Sequence, residues 1–320
     1  MPIPKLLEGR LRLPVIGSPM FIVSTPALVG AQCKAGIVGS FPALNARPAP
    51  LLDDWLAQLN EELADYREKH PQAKVAPFAV NQIVHASNNR LEQDMAMCVK
   101  HQVPIVITSL RPPAEVVQAV HGYGGVVFHD VINLKHAEKA AAQGVDGIIA
   151  VCAGAGGHAG TLSPFALVKQ IREVYAGTIL LSGAMSTGAD VLAARAMGAD
   201  LAYLGTRFIA ALEANAVPEY KQMLIDSSAE DIVYTNLFSG VLGNYLKGSI
   251  ARAGLDPGNL PAGDKKTMDF GSAAMPKAWK EIWGAGQSVS GIHEIESVAD
   301  LVDKLEREYE EALRHVNRAA

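Results

Sequence analysis

The chain has 320 residues, just under half of them apolar, and a formal net charge of −5 from 28 Lys plus Arg against 33 Asp plus Glu. That balance excludes a basic nucleic-acid footprint, and no apolar run reaches the ~18 residues of a membrane helix. Three widely spaced cysteines (Cys33, Cys98, Cys152) indicate neither a disulfide framework nor a zinc site, and the start of the chain lacks a signal-peptide pattern, so a cytoplasmic protein is expected.

Short β-branched runs alternate regularly with longer helical patterns. Strands are expected at 13–17, 37–40, 75–80, 104–108, 125–129, 147–151, 178–182 and 201–204. Helices are expected near 25–35, 50–68, 88–101, 113–121, 134–143, 164–175 and 188–198. The strands read as apolar runs, as in a parallel sheet covered on both faces. Eight right-handed βα units predict an α/β fold, a closed (β/α)8 TIM barrel. The alternation then stops. Helical patterns at 218–226, 242–253 and 277–283 suggest a small helical insertion at 210–287 that folds over the barrel as a substrate or lid domain. The barrel would comprise 1–209 and 288–320, closed by an amphipathic helix at 296–317.

A barrel of this kind carries its chemistry at the carboxyl ends of the strands. The densest signal there follows the sixth strand, where Cys152-Ala-Gly-Ala-Gly-Gly-His158-Ala-Gly160 ends an apolar run. Glycine allows positive φ and close backbone approach to a ligand, and His158 is the one group in the loop that titrates near neutrality. Gly154-x-Gly156-x-x-Ala159 imitates a dinucleotide fingerprint, but that motif opens a helix within its glycines. Here the next helix starts near Ser163-Pro164 and the next strand ends Leu181-Ser182-Gly183 with no acid.

Ser182-Gly183 and Gly205-Thr206 follow the last two strands, where loops of this fold often bind phosphate. Arg207 either adds charge to such a site or pairs on the barrel rim. No Lys stands at a strand end for Schiff-base chemistry. No cluster of strand-end Asp and Glu stands ready for Mg²⁺, and no His set for Zn²⁺, so no metal is expected. A phosphate site, small-residue loops and one imidazole point to a cofactor that carries the hard chemistry, and FMN is the economical choice.

Gly17-Ser-Pro-Met20, Phe78-Ala-Val-Asn81, Ala155-Gly-Gly-His-Ala-Gly160, Leu181-Ser-Gly183 and Leu204-Gly-Thr-Arg-Phe208 together resemble the nitronate monooxygenase (2-nitropropane dioxygenase) family. The resemblance implies a TIM barrel carrying FMN and oxidation of alkyl nitronates by O2 to a carbonyl compound and nitrite. It implies that Pro19 and Met20 back the flavin, and that Asn81 meets its polar edge. Ser182, Gly183, Ala184, Gly205 and Thr206 would hold the phosphate. Gly156 and Gly157 would lie against the cofactor, Thr108 and His129 would contact it, and His158 would be the catalytic base or substrate-orienting residue. Two positions depart from the family pattern: Asp130 where a Lys is frequent, and Ala184 where a Gly is frequent. NAD(P)H-dependent quinone and enoyl reductases share the Gly-Gly-His and Gly-Thr-Arg-Phe segments and stand as the alternative, with a non-redox phosphate-ligand barrel behind them. The expected partners are a small-molecule nitronate and O2, neither nucleic acid nor membrane, with a homodimer left open.

Overall fold

A computed structural model describes residues 3–111, 113–263 and 281–318. Eight strands form one parallel sheet: β1 (Val15–Gly17), β2 (Gly39–Pro42), β3 (Phe78–Val84), β4 (Ile105–Leu110), β5 (Val126–Val131), β6 (Gly147–Val151), β8 (Thr178–Ser182) and β9 (Leu201–Leu204). Their order is β1-β9-β8-β6-β5-β4-β3-β2. The two ends meet where Ile16 bridges Val38, with Gly17 N–H donating to Val38 O at 2.7 Å and Val38 N–H to Val15 O at 3.1 Å. The result is the expected (β/α)8 barrel.

Helices α1 (Pro26–Lys34), α2 (Leu51–Lys69), α3 (Leu91–Lys100), α4 (Ala114–His121), α5 (Leu134–Ala142), α6 (Pro164–Val174) and α7 (Gly188–Ala196) alternate with these strands. Their starts follow local chemistry. Proline opens α1 and α6, where its missing N–H costs nothing. The Asn133 side chain accepts from His136 N–H to cap α5, and Thr187 with Asp190 closes a capping box on α7.

Strand alternation sorts the core into two layers. Ile16, Val38, Ala79, Ile105, Ile107, Phe128, Ile149, Leu180, Leu201 and Tyr203 fill the barrel, and Leu7 joins them from the amino-terminal segment. Val15, Val80, Val106, Val127, Ile148, Ile179, Leu181 and Ala202 face the helices. This parity decides which strand-end side chains face the mouth.

After β9 come α8 (Thr206–Ile209), α9 (Pro218–Ile225), β10 (Ile232–Thr235), β11 (Gly243–Leu246) and α10 (Lys247–Arg252). A separate short strand, β7 (Gly157–His158), lies in the loop after β6 and pairs antiparallel with β11, which pairs in turn with β10. The insertion is therefore mixed. The helix expected over 242–253 forms only in its second half, because Gly243 and Asn244 are drawn into register with His158 and Gly157. Tyr245, Ile250 and Ile282 give the insertion its own small core. The helix expected at 277–283 falls mostly outside the described residues. The final helix, α11 (Val298–Arg318), packs on α7, where Gly188 N–H donates to Glu308 at 2.8 Å and Arg195 to Tyr309 Oη at 2.8 Å.

Candidate active site

Continuing the inward parity past the strand ends brings Ser18, Asn81, Ser109, Asp130, Ser182 and Gly205 to the mouth, following Ile16, Ala79, Ile107, Phe128, Leu180 and Tyr203. Three of these form a chain. Asn81 Nδ2 donates to Ser109 Oγ at 3.0 Å and to Ile107 O at 3.3 Å, and Ser109 Oγ donates to Asp130 Oδ2 at 2.5 Å. Burial pushes the Asp130 carboxyl above its usual range, against a weaker opposite pull from His129.

Thr108 and His129, expected as cofactor contacts, project from the other face. They are register partners, joined by a 2.8 Å bond between Thr108 Oγ1 and His129 Nδ1, in the layer of Val106 and Val127. The reason is parity: Ile105, Ile107 and Phe128 point inward, so Ser109 and Asp130 continue that face on strands that run on to Leu110 and Val131. Burial lowers the pKa of His129.

Several expected residues do converge. Met20 is held by Ser24 Oγ, which accepts from Met20 N–H at 3.0 Å, and by Asn45 Nδ2, which donates to Met20 O at 3.0 Å. A Cβ placed on Gly205 would lie 3.3 Å from Ser18 Cβ and 3.8 Å from Met20 Sδ, so Pro19 and Met20 sit on a turn against the Gly205 loop. A Cβ on Gly183, whose φ is +143°, would lie 2.8 Å from Ala153 O, and Ala184 takes φ +53° while its N–H donates to Gly154 O at 3.3 Å. A Cβ on Gly156 would meet Thr206 Oγ1 at 2.8 Å and Gly286 N at 2.9 Å. Thr206 Oγ1 accepts from Gly286 N–H at 2.9 Å, which leaves its own proton for another acceptor. Gly157, at φ +65°, has open space where a Cβ would stand.

The small-residue segment 283–287 thus closes on the glycine loop. Gln287 N–H donates to Gly154 O at 2.9 Å, and Asn244 Nδ2, from the insertion, donates to Ala155 O at 2.7 Å. Arg207 turns away from this cradle. It is 2% exposed and forms an ion pair with Glu296, just before α11, so no guanidinium reaches the Ser182–Ala184 and Gly205–Thr206 turns from this position.

His158 Nε2 lies 3.0 Å from Ser239 Oγ. Ser239 Oγ also bonds Val241, donating to its carbonyl at 3.0 Å and accepting from its N–H at 3.3 Å. Burial lowers the His158 pKa to about 4, so the imidazole is neutral at physiological pH. Tyr245 Oη stands 3.5 Å from Ser239 Oγ, and Tyr234 Oη donates to Ala159 O at 2.9 Å. Cys152 is fully buried and its thiol is pushed up to about 12, which makes it a packing residue and not a nucleophile.

Sequence reading placed Ser109 at the end of the fourth strand without giving it a contact, and missed Ser239 and Asn244. Ser239 and Asn244 carry no motif, because they reach the glycine loop only through the pairing of β7 with β11. Among the described residues no helix is long and apolar enough to cross a membrane.

Comparison with known proteins agrees with this fold. The nitronate monooxygenase family profile matches residues 43–308. A nitronate monooxygenase from Paraburkholderia phytofirmans is 28% identical, over 96% of this chain and 95% of its own. In fold the chain is similar to nitroalkane oxidase from Streptomyces ansochromogenes (TM-score 0.77, 22% identity, covering 97% of this chain and 100% of that one). It is also similar to FabK from Thermotoga maritima (TM-score 0.75, 23% identity, 98% and 97% covered). A family match across most of the chain, on a barrel whose strand ends gather the glycine loops around a half-buried imidazole, places this protein in the nitronate monooxygenase family of oxidoreductases.

Proposed function

We propose that this chain is an FMN-dependent oxidase of alkyl nitronates, using O2 and releasing a carbonyl compound and nitrite. The observation that carries the reading is His158, a neutral imidazole at the carboxyl end of the barrel, tied through Ser239 to an insertion with its own apolar core.

The residues present fit the cofactor. Gly183, Ala184, Gly205 and Thr206 form small-residue turns with one hydroxyl proton for a phosphate, and Met20 with Pro19 offers an apolar wall beside Gly205. Asn81 presents its amide at the mouth, oriented by Ser109 and Ile107 O. When bound, FMN would supply an electron-accepting ring able to pass electrons to O2.

The protein's own contribution is positional. Ser239 contacts the His158 ring at 3.0 Å and lies 3.5 Å from Tyr245 Oη, and Tyr245 packs edge-on against Phe238 with ring centroids 5.1 Å apart. A neutral imidazole can accept the α-proton of a nitroalkane, but a pKa near 4 makes it a weak acceptor at pH 7. A preformed nitronate needs no such transfer, so it is the preferred substrate, with His158 as an orienting contact.

The test is an anaerobic mix of flavin-loaded protein with ethylnitronate or propionate 3-nitronate, and separately with NADH, following flavin absorbance. Flavin reduction by nitronate, with nitrite appearing on admission of air, supports the proposal. Rapid bleaching by NADH with nitronate inert overturns it in favour of a reductase.

A further inference from the structure

The amino-terminal end of the barrel, opposite the mouth, bears a cavity of about 430 Å³ that none of the chemistry above uses. Arg10, Arg67, His70 and Lys74 line it, with Pro71 and Val75 as apolar wall. Its four basic residues come from three segments: the loop before β1, the end of α2 with its cap, and the approach to β3. No Asp or Glu lines it.

Basic residues at a helix carboxyl end are ordinary, because they face the last carbonyls. That accounts for Arg67 and His70, but not for Arg10 and Lys74, which lie on other segments. Arg10 is half-buried, and its Nε–H donates to Val75 O at 3.1 Å, which fixes the plane of the guanidinium. Burial, and then the nearby charge of Arg67, lower its pKa, as expected for two guanidinium groups close together.

Several other cations among the described residues have carboxylate partners. Arg12 pairs with Asp303 and Glu306, Arg90 with Asp94, and Arg172 with Asp200. On α2 itself Glu62 is engaged by Lys34 and Asp65 by Lys69. The cavity gathers basic groups from separate elements, and such a concentration of like charge calls for an anion.

We propose that this cavity binds a multiply charged phosphate, remote from the catalytic mouth. Two guanidinium groups suit the paired oxygens of a phosphate, and the volume lies in the range of small-molecule sites. A ligand here leaves the mouth free, and binds the folded chain only, so it raises the unfolding temperature.

The experiment is isothermal titration calorimetry of the full-length, FMN-saturated protein with inorganic pyrophosphate and, separately, ADP. Both Arg67 and Lys74 are exposed, so R67Q and K74Q keep the fold, which their melting curves verify. The expected result is saturable one-to-one binding of at least one probe, weakened by salt, reduced at least tenfold in R67Q, and without change in the flavin spectrum. Pyrophosphate binding alone assigns a free phosphate anion, and tighter ADP binding assigns a phosphate ester. The proposal is overturned if neither probe binds at millimolar concentration, if R67Q binds both as well as the parent, or if binding releases FMN.

Discussion

His158 Nε2 and Ser239 Oγ meet at 3.0 Å across 81 residues of sequence, joining the glycine loop after β6 to the insertion that follows β9. Ser239 also bonds Val241 through its carbonyl and N–H, which anchors the hydroxyl beside the ring. Ser239→Ala therefore removes the contact that fixes the imidazole. A net hydrogen bond of about 1 kcal/mol corresponds to a loss of roughly fivefold in kcat/KM for nitronate. Ser239→Thr, which keeps the hydroxyl, should recover most of it.

Replacement of the ring itself separates the two roles of His158. His158→Asn should lower turnover of a neutral nitroalkane, by less than the ~10²–10⁴ of a well-tuned base because a pKa near 4 makes the ring a weak acceptor. Preformed nitronate should lose far less. Steady-state assays with both forms of one substrate decide the matter: equal losses would show that His158 does not act as a proton acceptor.

The same residue gives stability a pH dependence. Its folded pKa is about 4 against an ordinary 6.5, so as pH falls below 6.5 the unfolded chain takes up a proton that the folded chain refuses. Stability is lost progressively from about pH 6.5 down to about 4, and the slope ends once both states are protonated. The total for this group is on the order of 3 kcal/mol. Denaturant unfolding at pH 7, 5.5 and 4.5 should show a shallower loss for His158→Asn than for the parent.

Much of this was legible in the chain. Runs such as Ile148–Ala150 and Ile179–Leu181 marked buried parallel strands, and the glycines around His158 marked the loop that the cofactor would need. What escaped was parity and long-range pairing. Apolar runs buried on both faces carry no in–out alternation, so the ends of β4 and β5 were placed two residues short, and of the pairs Thr108-Ser109 and His129-Asp130 read at those ends the cofactor contacts were assigned to Thr108 and His129. The strand at Gly243–Leu246 was hidden for a different reason. Its partners, Gly157–His158 and Ile232–Thr235, lie in other segments, and local helical pattern outweighed a pairing that only the folded chain reveals.

Asp130 is a carboxyl whose ionised form the fold disfavours. Burial raises its pKa, so its ionisation costs stability as pH rises through the ordinary carboxylate range, whereas at lower pH the cost is absent. Asp130→Asn keeps an acceptor for Ser109 and cannot ionise. It should raise the melting temperature at pH 7 and change it little at pH 3.5, a contrast that thermal melts of the two proteins measure directly.

Arg207 provides the last contrast, between holding phosphate and holding the barrel shut. It directly follows Thr206, yet it is buried against Glu296, whose backbone carbonyl accepts from Leu212 N–H at 2.9 Å and whose carboxylate also lies 3.9 Å from Lys304 on α11. Glu296→Gln leaves a buried guanidinium without its counter-charge, an imbalance that costs about 3–5 kcal/mol when one partner of a buried pair is removed. A phosphate ligand would behave otherwise: loss of Arg207 would weaken FMN binding and leave the apoprotein stable. With Arg207 directed to Glu296, both Glu296→Gln and Arg207→Met should lower the melting temperature of FMN-free protein. Fluorescence titration of the remaining folded protein with FMN should give affinities within a few-fold of the parent.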